Sequence, residues 1–240
     1  MRIVAIIQAR MGSTRLPGKI LMPLAGKPVL QRVVERVRAS AAFDEVVVAT
    51  SDRVVDDVVA TMVPEFGAIV VRGDEADVLS RYGLAAEVSN ADAVMRITAD
   101  CPLIDPDILA SMVESFRSGD VDLVSNCVLR SFPRGLDAEL FSRAALDLML
   151  EQATSQPQRE HVTKFMYDNP QQFRIASFEN ADDLSDYRLT LDTAEDFELL
   201  GRIFNAAPQP DSIRLNDVIS IMNANPDWRL INAHVEQKKV

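Results

Sequence analysis

The sequence predicts a three-layer α/β/α protein, Rossmann-like, built on a mostly parallel, doubly wound sheet. Short β-branched and apolar runs alternate with longer amphipathic stretches as far as residue 125. The runs are continuously apolar, as expected of strands covered on both faces. The chain has 240 residues and is 48% apolar, enough for a sizeable buried core. In such a sheet ligands bind outside the carboxyl ends of strands, so the strand tails carry the chemistry.

Ile3-Val4-Ala5-Ile6-Ile7 is the first strand. It feeds a loop with Arg10, Arg15, Lys19 and Lys27 and glycines at 12, 18 and 26. Glycine lets backbone amides turn toward a ligand, and cations crowded into one loop of an acidic chain point to a polyphosphate. The P-loop pattern does not fit. Gly12 to Gly18-Lys19 is one residue too long, Ile20 stands where a metal-binding hydroxyl belongs, and Pro23 blocks a long helix. Nor is there a G-x-G-x-x-G fingerprint.

A helix over Val29–Val37 follows, apolar at 29, 30, 33, 34 and 37. Glu45–Thr50 is a strand, and Ser51-Asp52 reads as an N-cap for a helix over Val54–Met62. Next come a strand at Ala68–Val71, a helix from about Asp77 to Val88, a strand at Ala93–Thr98, a helix over Asp107–Phe116 and a strand at Val121–Ser125. After residue 130 the rhythm changes. A polar turn at Arg130–Asp137 precedes a strand at Ala138–Phe141, and Ser142 caps a helix to about Met149. Ser155–Gln158 opens a helix to about Tyr167, with strands at Gln172–Phe178 and Tyr187–Leu191. We read 1–240 as one domain, with 130–185 an insertion over the strand ends that bears second-substrate contacts and a possible homodimer surface. Helices at 193–204 and near 214–223 precede Pro226–Arg229 and a polar end expected to fray.

Among the tails, Ile97-Thr98-Ala99-Asp100-Cys101-Pro102 is the most informative. Asp100 cannot cap the following helix, because Pro102 intervenes and Asp105 before Pro106 already fits that duty. A carboxylate with no structural role at a strand's carboxyl end is a candidate metal ligand. Leu191-Asp192 repeats the pattern, although Asp192 also fits as a helix cap with Glu195 closing a capping box. Asp120-Val121-Asp122 is a formal D-x-D at the wrong end of its strand.

Composition excludes other classes. A net charge of −11, from 25 basic and 36 acidic residues, is ill suited to holding nucleic acid. Cys101 and Cys127 lack C-x-x-C spacing, and only two histidines exist, which argues for a reducing compartment and against zinc. No apolar run approaches 18 residues, so we expect a soluble cytoplasmic protein with no membrane contact.

The run Gln8-Ala9-Arg10-x-x-Ser13-Thr14-Arg15-Leu16-Pro17-Gly18-Lys19, then Leu24-x-Gly26-Lys27-Pro28, resembles the signature of sugar-activating cytidylyltransferases. The spore-coat polysaccharide group, related to 3-deoxy-manno-octulosonate and acylneuraminate cytidylyltransferases, is the most similar. Phe132-Pro133-Arg134-Gly135-Leu136-Asp137-x-Glu139 and Arg159-Glu160-His161-Val162-Thr163 also look like elements of this group, and the resemblance extends to about residue 205. It implies the fold of nucleotide-diphospho-sugar transferases and transfer of CMP from CTP to a sugar. Arg10, Arg15 and Lys19 would hold the triphosphate, helped by the amides of 11 to 13, with Asp100 and Asp192 on Mg²⁺. Ala9, Met11, Gly12, Ser13 and Thr98 would line the nucleotide, and Arg72 and Asp74 are candidates there, although a plain turn also explains Gly73-Asp74. Arg134, Glu139, Arg159 and His161 would meet the sugar; His161 fits a packed histidine equally well. A glycosyltransferase of similar fold would need a D-x-D at a strand's carboxyl end, and a non-catalytic binding protein would not need the two acids.

Overall fold

A computed structural model describes residues 1–237. Its elements are β1 (Ile3–Gln8), β2 (Pro23–Leu24), β3 (Lys27–Pro28), α1 (Val29–Ala39), β4 (Glu45–Ser51), α2 (Asp57–Met62), β5 (Ile69–Gly73), α3 (Val78–Val88) and β6 (Ala93–Thr98). Then follow α4 (Pro106–Ser118), β7 (Leu123–Ser125), β8 (Glu139–Ser142), α5 (Arg143–Gln152), α6 (Gln156–Glu160), α7 (Lys164–Asp168), β9 (Ile175–Ser177), α8 (Ala194–Ala206) and α9 (Leu215–Ala224). Seven strands form one sheet in the order β5-β4-β1-β6-β8-β7-β9, and a small β2-β3 ladder stands apart. Only β8 runs antiparallel to its neighbours.

The alternation of side chains explains the three layers. Ile3, Ala5 and Ile7 of β1 face the apolar sides of α1 and α4, where Val33, Val37 and Met112 are buried. Val4 and Ile6 face α3 and α5, against Tyr82 and Leu146. A third cluster joins Leu24, Leu103 and Leu136 to Leu191, α8 and α9. Register then sets the site: Gln8 at the end of β1 lies beside Ala49 and Thr98, so three strand tails open at one edge.

Several elements differ from the sequence reading. Ser51 is the last residue of β4, not a cap; its hydroxyl donates to Asp56, and the expected helix splits into a 3₁₀ turn at Val54–Asp56 and α2. The helix expected through Tyr167 breaks at His161–Thr163, where Val162 takes φ 48°. Tyr187–Leu191 is no strand of the sheet. It zips instead against the 134 turn, where Arg134 N–H donates to Tyr187 O and Leu189 N–H to Arg134 O. Gly135 makes that approach possible, since a Cβ there would lie 2.4 Å from the Leu189 backbone and its φ is 100°. The segment read as an insertion supplies β8 and β9 to the main sheet. At 238–240 the fraying end lies outside the described residues.

Candidate active site

The first loop is braced internally. Ala9 N–H continues the ladder to Ala49 O at 3.1 Å, and Met11 N–H donates to Asp56 Oδ1 at 2.6 Å. Met11 O accepts from Ser13 N–H (2.8 Å) and Gly18 N–H (3.1 Å), while Gly18 adopts φ 71° and turns the chain into a 3₁₀ turn at Lys19–Leu21. The amides of Met11 and Ser13, expected to meet phosphate, are therefore occupied by the loop's own fold. Among the described residues no hydrogen bond engages the Gly12 amide.

Lys19 reaches from this turn to the floor of a cavity of about 370 Å³. Its ammonium donates to Asp100 Oδ2 at 2.8 Å, Asp192 Oδ1 at 2.9 Å and Leu191 O at 2.6 Å, so all three donors are used. Leu191 N–H donates to Asp100 O at 2.8 Å, the backbone bond that brings the two aspartates together across the sheet edge. Thr98 Oγ1 donates to Asp100 Oδ1 at 2.6 Å, and Arg15 pairs with Asp192 Oδ2 at 2.9 Å. Burial pulls the Lys19 pKa down, but Asp100 and Asp192 outweigh it and hold the ammonium above its ordinary value. Burial likewise pushes Asp192 up, and Lys19, Arg15 and Arg188 outweigh it and hold the carboxylate low.

Asp192 does not cap α8. Thr193 does, in a capping box closed by Asp196 in place of Glu195. Asp105 caps α4, accepting from Asp107 N–H at 2.9 Å, which leaves Asp100 without a capping duty. Asp120 and Asp122 both pair with Arg174.

The residues fit a divalent cation. Asp100 and Asp192 aim hard oxygen donors at one point, held here by the Lys19 ammonium as a stand-in cation. Among the described residues no group of three or more His, Cys, Asp or Glu surrounds that point.

Arg10 lines the same cavity with Gly12, Ser13 and Thr98. It is loosely held, 3.6 Å from Glu160 and 3.9 Å from Glu75, acids that sequence reasoning missed. Arg72 and Asp74 stay outside that cavity. Arg72 is engaged by Ser51 O, Arg53 O and Asp57, and Asp74 Oδ1 accepts from Ala76 and Asp77 N–H, the turn reading of this corner.

A second cavity of about 840 Å³ adjoins through Thr98 and holds Arg134, Glu139 and His161. Glu139 is buried and accepts from Arg96 (2.5 Å), Thr163 (2.9 Å) and Tyr167 (2.5 Å), so both its oxygens are engaged in the wall of the cavity. Arg159 is absent from it. Its guanidinium forks onto Asp77 at the start of α3, away from the sugar contact expected of it. Arg134 has no ion pair among the described residues, while Arg96 and Arg130 are paired with Glu139 and Asp137. Burial, chiefly, lowers the His161 pKa.

A cationic loop after the first strand of a mixed α/β/α sheet, facing one acid just past β6 and another just before α8, defines a nucleotidyltransferase. The cytidylyltransferase family model matches residues 4–225, and the chain belongs to that family. It is 35% identical over 234 residues to the spore coat polysaccharide biosynthesis protein SpsF of Bacillus subtilis, covering 94% of this chain and 95% of that one. A 3-deoxy-manno-octulosonate cytidylyltransferase of Synechococcus elongatus is 39% identical over 125 residues, 50% of this chain and 49% of its own. The solved structure of a cytidylyltransferase from Leptospira borgpetersenii aligns at TM-score 0.91 and 34% identity over 100% of both chains. No helix among the described residues is long and apolar enough to cross a membrane.

Proposed function

We propose that this cytidylyltransferase joins CMP from CTP to an acidic sugar, releasing pyrophosphate, for the assembly of a cell-surface polysaccharide. The carrying observation is Lys19 held between Asp100 and Asp192 at the base of a cavity lined by Arg10 and Arg15. A hydroxyl oxygen of the sugar bonds to the α-phosphorus of CTP and gives up its proton to solvent, the bond from that phosphorus to the bridging oxygen breaks, and pyrophosphate leaves with the electron pair. Such transfer needs alignment and charge neutralisation more than a covalent nucleophile. Arg10, Arg15 and Lys19 hold triphosphate oxygens. Asp100 and Asp192 would hold a divalent cation, Mg²⁺ by its oxygen donors, which would supply charge neutralisation on the phosphates and lower the pKa of a hydroxyl beside it. Arg134 meets the sugar's carboxylate in the adjoining cavity, the one cation there without an ion pair among the described residues. The Synechococcus relative, an enzyme of a keto-acid sugar, and the polysaccharide role of the Bacillus relative support this substrate class. Gln8 and Arg10 line the first cavity and narrow the space open to a base, which favours a pyrimidine. A pyrophosphate-release screen of four nucleoside triphosphates against acidic and neutral sugars tests the proposal. CTP with an acidic sugar is the expected pair, and turnover confined to a purine triphosphate or a neutral sugar would refute it.

A further inference from the structure

Asp192 is also gripped from outside the first cavity. Arg188, largely buried, donates through Nη2 to Asp192 Oδ2 at 2.9 Å. The same guanidinium forks onto Asp196, Nε to Oδ1 and Nη2 to Oδ2, both at 2.9 Å. Its remaining arm, Nη1, donates to Gln237 Oε1 at 2.7 Å. Asp196 is fully buried and is itself fixed by three donors: Asp192 N–H (2.9 Å), Thr193 N–H (3.1 Å) and Asn232 Nδ2 (2.8 Å). Asn232, also buried, spans to Arg188 O at 3.1 Å. The guanidinium therefore has one position. The Asp192 carboxylate, tied to it through Oδ2, turns Oδ1 toward Lys19 and Asp100.

We infer that Arg188, locked by Asp196 and Asn232, is a positioning residue that orients Asp192 for the divalent cation. The inference rests on the metal role given to Asp192 above. Lys19 and Arg15 also touch Asp192, but both belong to the first loop and face the cavity, where phosphate competes for them. Arg188 holds its partners from outside that cavity, so its grip persists when the loop cations turn to substrate. Two carboxylates bridged by one planar fork need arginine, since an ammonium offers a point charge without the fork. Groups that orient a metal's ligands typically change metal affinity by about 10–100-fold when removed. The arrangement also gives the C-terminal segment a duty. Gln237 ties it to the guanidinium, and Asn232 ties it to Asp196 and the Arg188 carbonyl, well beyond the last strand of the sheet.

The test is Mn²⁺ binding to the full-length protein without nucleotide, read from the loss of the free Mn²⁺ electron paramagnetic resonance signal. Wild type is compared with Arg188→Lys, Asn232→Ala and Asp192→Asn, and each melting temperature is recorded. The expected result is a dissociation constant raised about 10–100-fold in Arg188→Lys and about threefold or more in Asn232→Ala. The Mg²⁺ activation constant should rise in parallel, with the KM for CTP at saturating Mg²⁺ much less altered. A folded Arg188→Lys that binds Mn²⁺ like wild type, while Asp192→Asn loses binding, overturns the positioning role alone. Unchanged binding in Asp192→Asn overturns the metal role of Asp192 and the inference with it. If Arg188→Lys does not fold, Asn232→Ala decides, because it keeps every charge: a raised constant supports the inference and a wild-type one overturns it.

Discussion

Replacing Lys19 with Met should make the protein depend on a divalent cation for stability. The ammonium makes three bonds of 2.6–2.9 Å, and its side chain and that of Asp192 are 10% and 12% exposed. Methionine keeps most of the volume and removes the charge, leaving Asp100 and Asp192 facing each other with Leu191 O unsatisfied. Breaking a buried pair in this way costs about 3–5 kcal/mol. Asp100 is 25% exposed and Arg15 and Arg188 still neutralise Asp192, so the low end, about 3 kcal/mol, applies. At roughly 2–4 °C per kcal/mol for a chain of this size, the melting temperature in EDTA should fall by about 6–12 °C. A divalent cation then meets two acids with no competing ammonium. Millimolar Mg²⁺ should raise the melting temperature of the variant more than that of wild type, while turnover stays lost. Thermal melts of both proteins with EDTA and with Mg²⁺ decide the matter. A variant that melts like wild type in EDTA, or gains no more from Mg²⁺ than wild type, would refute the argument that Lys19 occupies the cation position.

Asp100→Asn should lower kcat by about a hundredfold or more, with a smaller fall in melting temperature than Lys19→Met, because Asn keeps an acceptor for Lys19 and Thr98 and Asp192 still pairs the ammonium; steady-state pyrophosphate release and a melt check both halves. Arg134→Ala should raise the KM for an acidic sugar by about 10–150-fold, the equivalent of roughly 1.5–3 kcal/mol for a charge-assisted bond, with little change in the KM for CTP. His161 should titrate below the ordinary histidine value of about 6.5, because burial lowers its pKa. Its contribution to stability is then present above that pH and lost as pH falls through the folded value, and imidazole NMR with melts of His161→Gln reads both. CTP should bind at least about tenfold more weakly in EDTA than with Mg²⁺ by calorimetric titration, a difference of about 1.4 kcal/mol.

The central strands were legible because β1 and β6 are buried on both faces and so read as unbroken apolar runs, and Asp105 was legible as a cap because Pro106 follows it. The cap of α8 was misread by one residue: Asp192 with Glu195 and Thr193 with Asp196 are overlapping boxes of the same spacing, and only the backbone chooses between them. Tyr187–Leu191 alternates like a strand, yet its partner is a turn more than fifty residues earlier, a pairing no local pattern encodes. Arg159 looked available because Asp77 lies 82 residues away in the chain. Arg188 was overlooked despite a local signal, since Arg188, Asp192 and Asp196 fall at intervals of four. Placed in no strand or helix, that spacing did not suggest an ion-pair ladder.

Under the proposed function, charge balance at the site accounts for a protein of net charge −11 taking a polyanion beside two of its own aspartates. Lys19, Arg15 and Arg188 face Asp100, Asp192 and Asp196, three cations against three acids, so the network is neutral by count before substrate arrives. A triphosphate entering alone must draw Lys19 or Arg15 off its carboxylate, at about 1.5–3 kcal/mol for each charge-assisted bond exchanged. Entering with a divalent cation, it brings the charge that takes over between the acids and frees the loop cations for phosphate. Arg10 requires no such exchange, since Glu75 and Glu160 hold it only at 3.9 and 3.6 Å. The acids that oppose bare nucleotide are therefore what make the site selective for nucleotide and cation together.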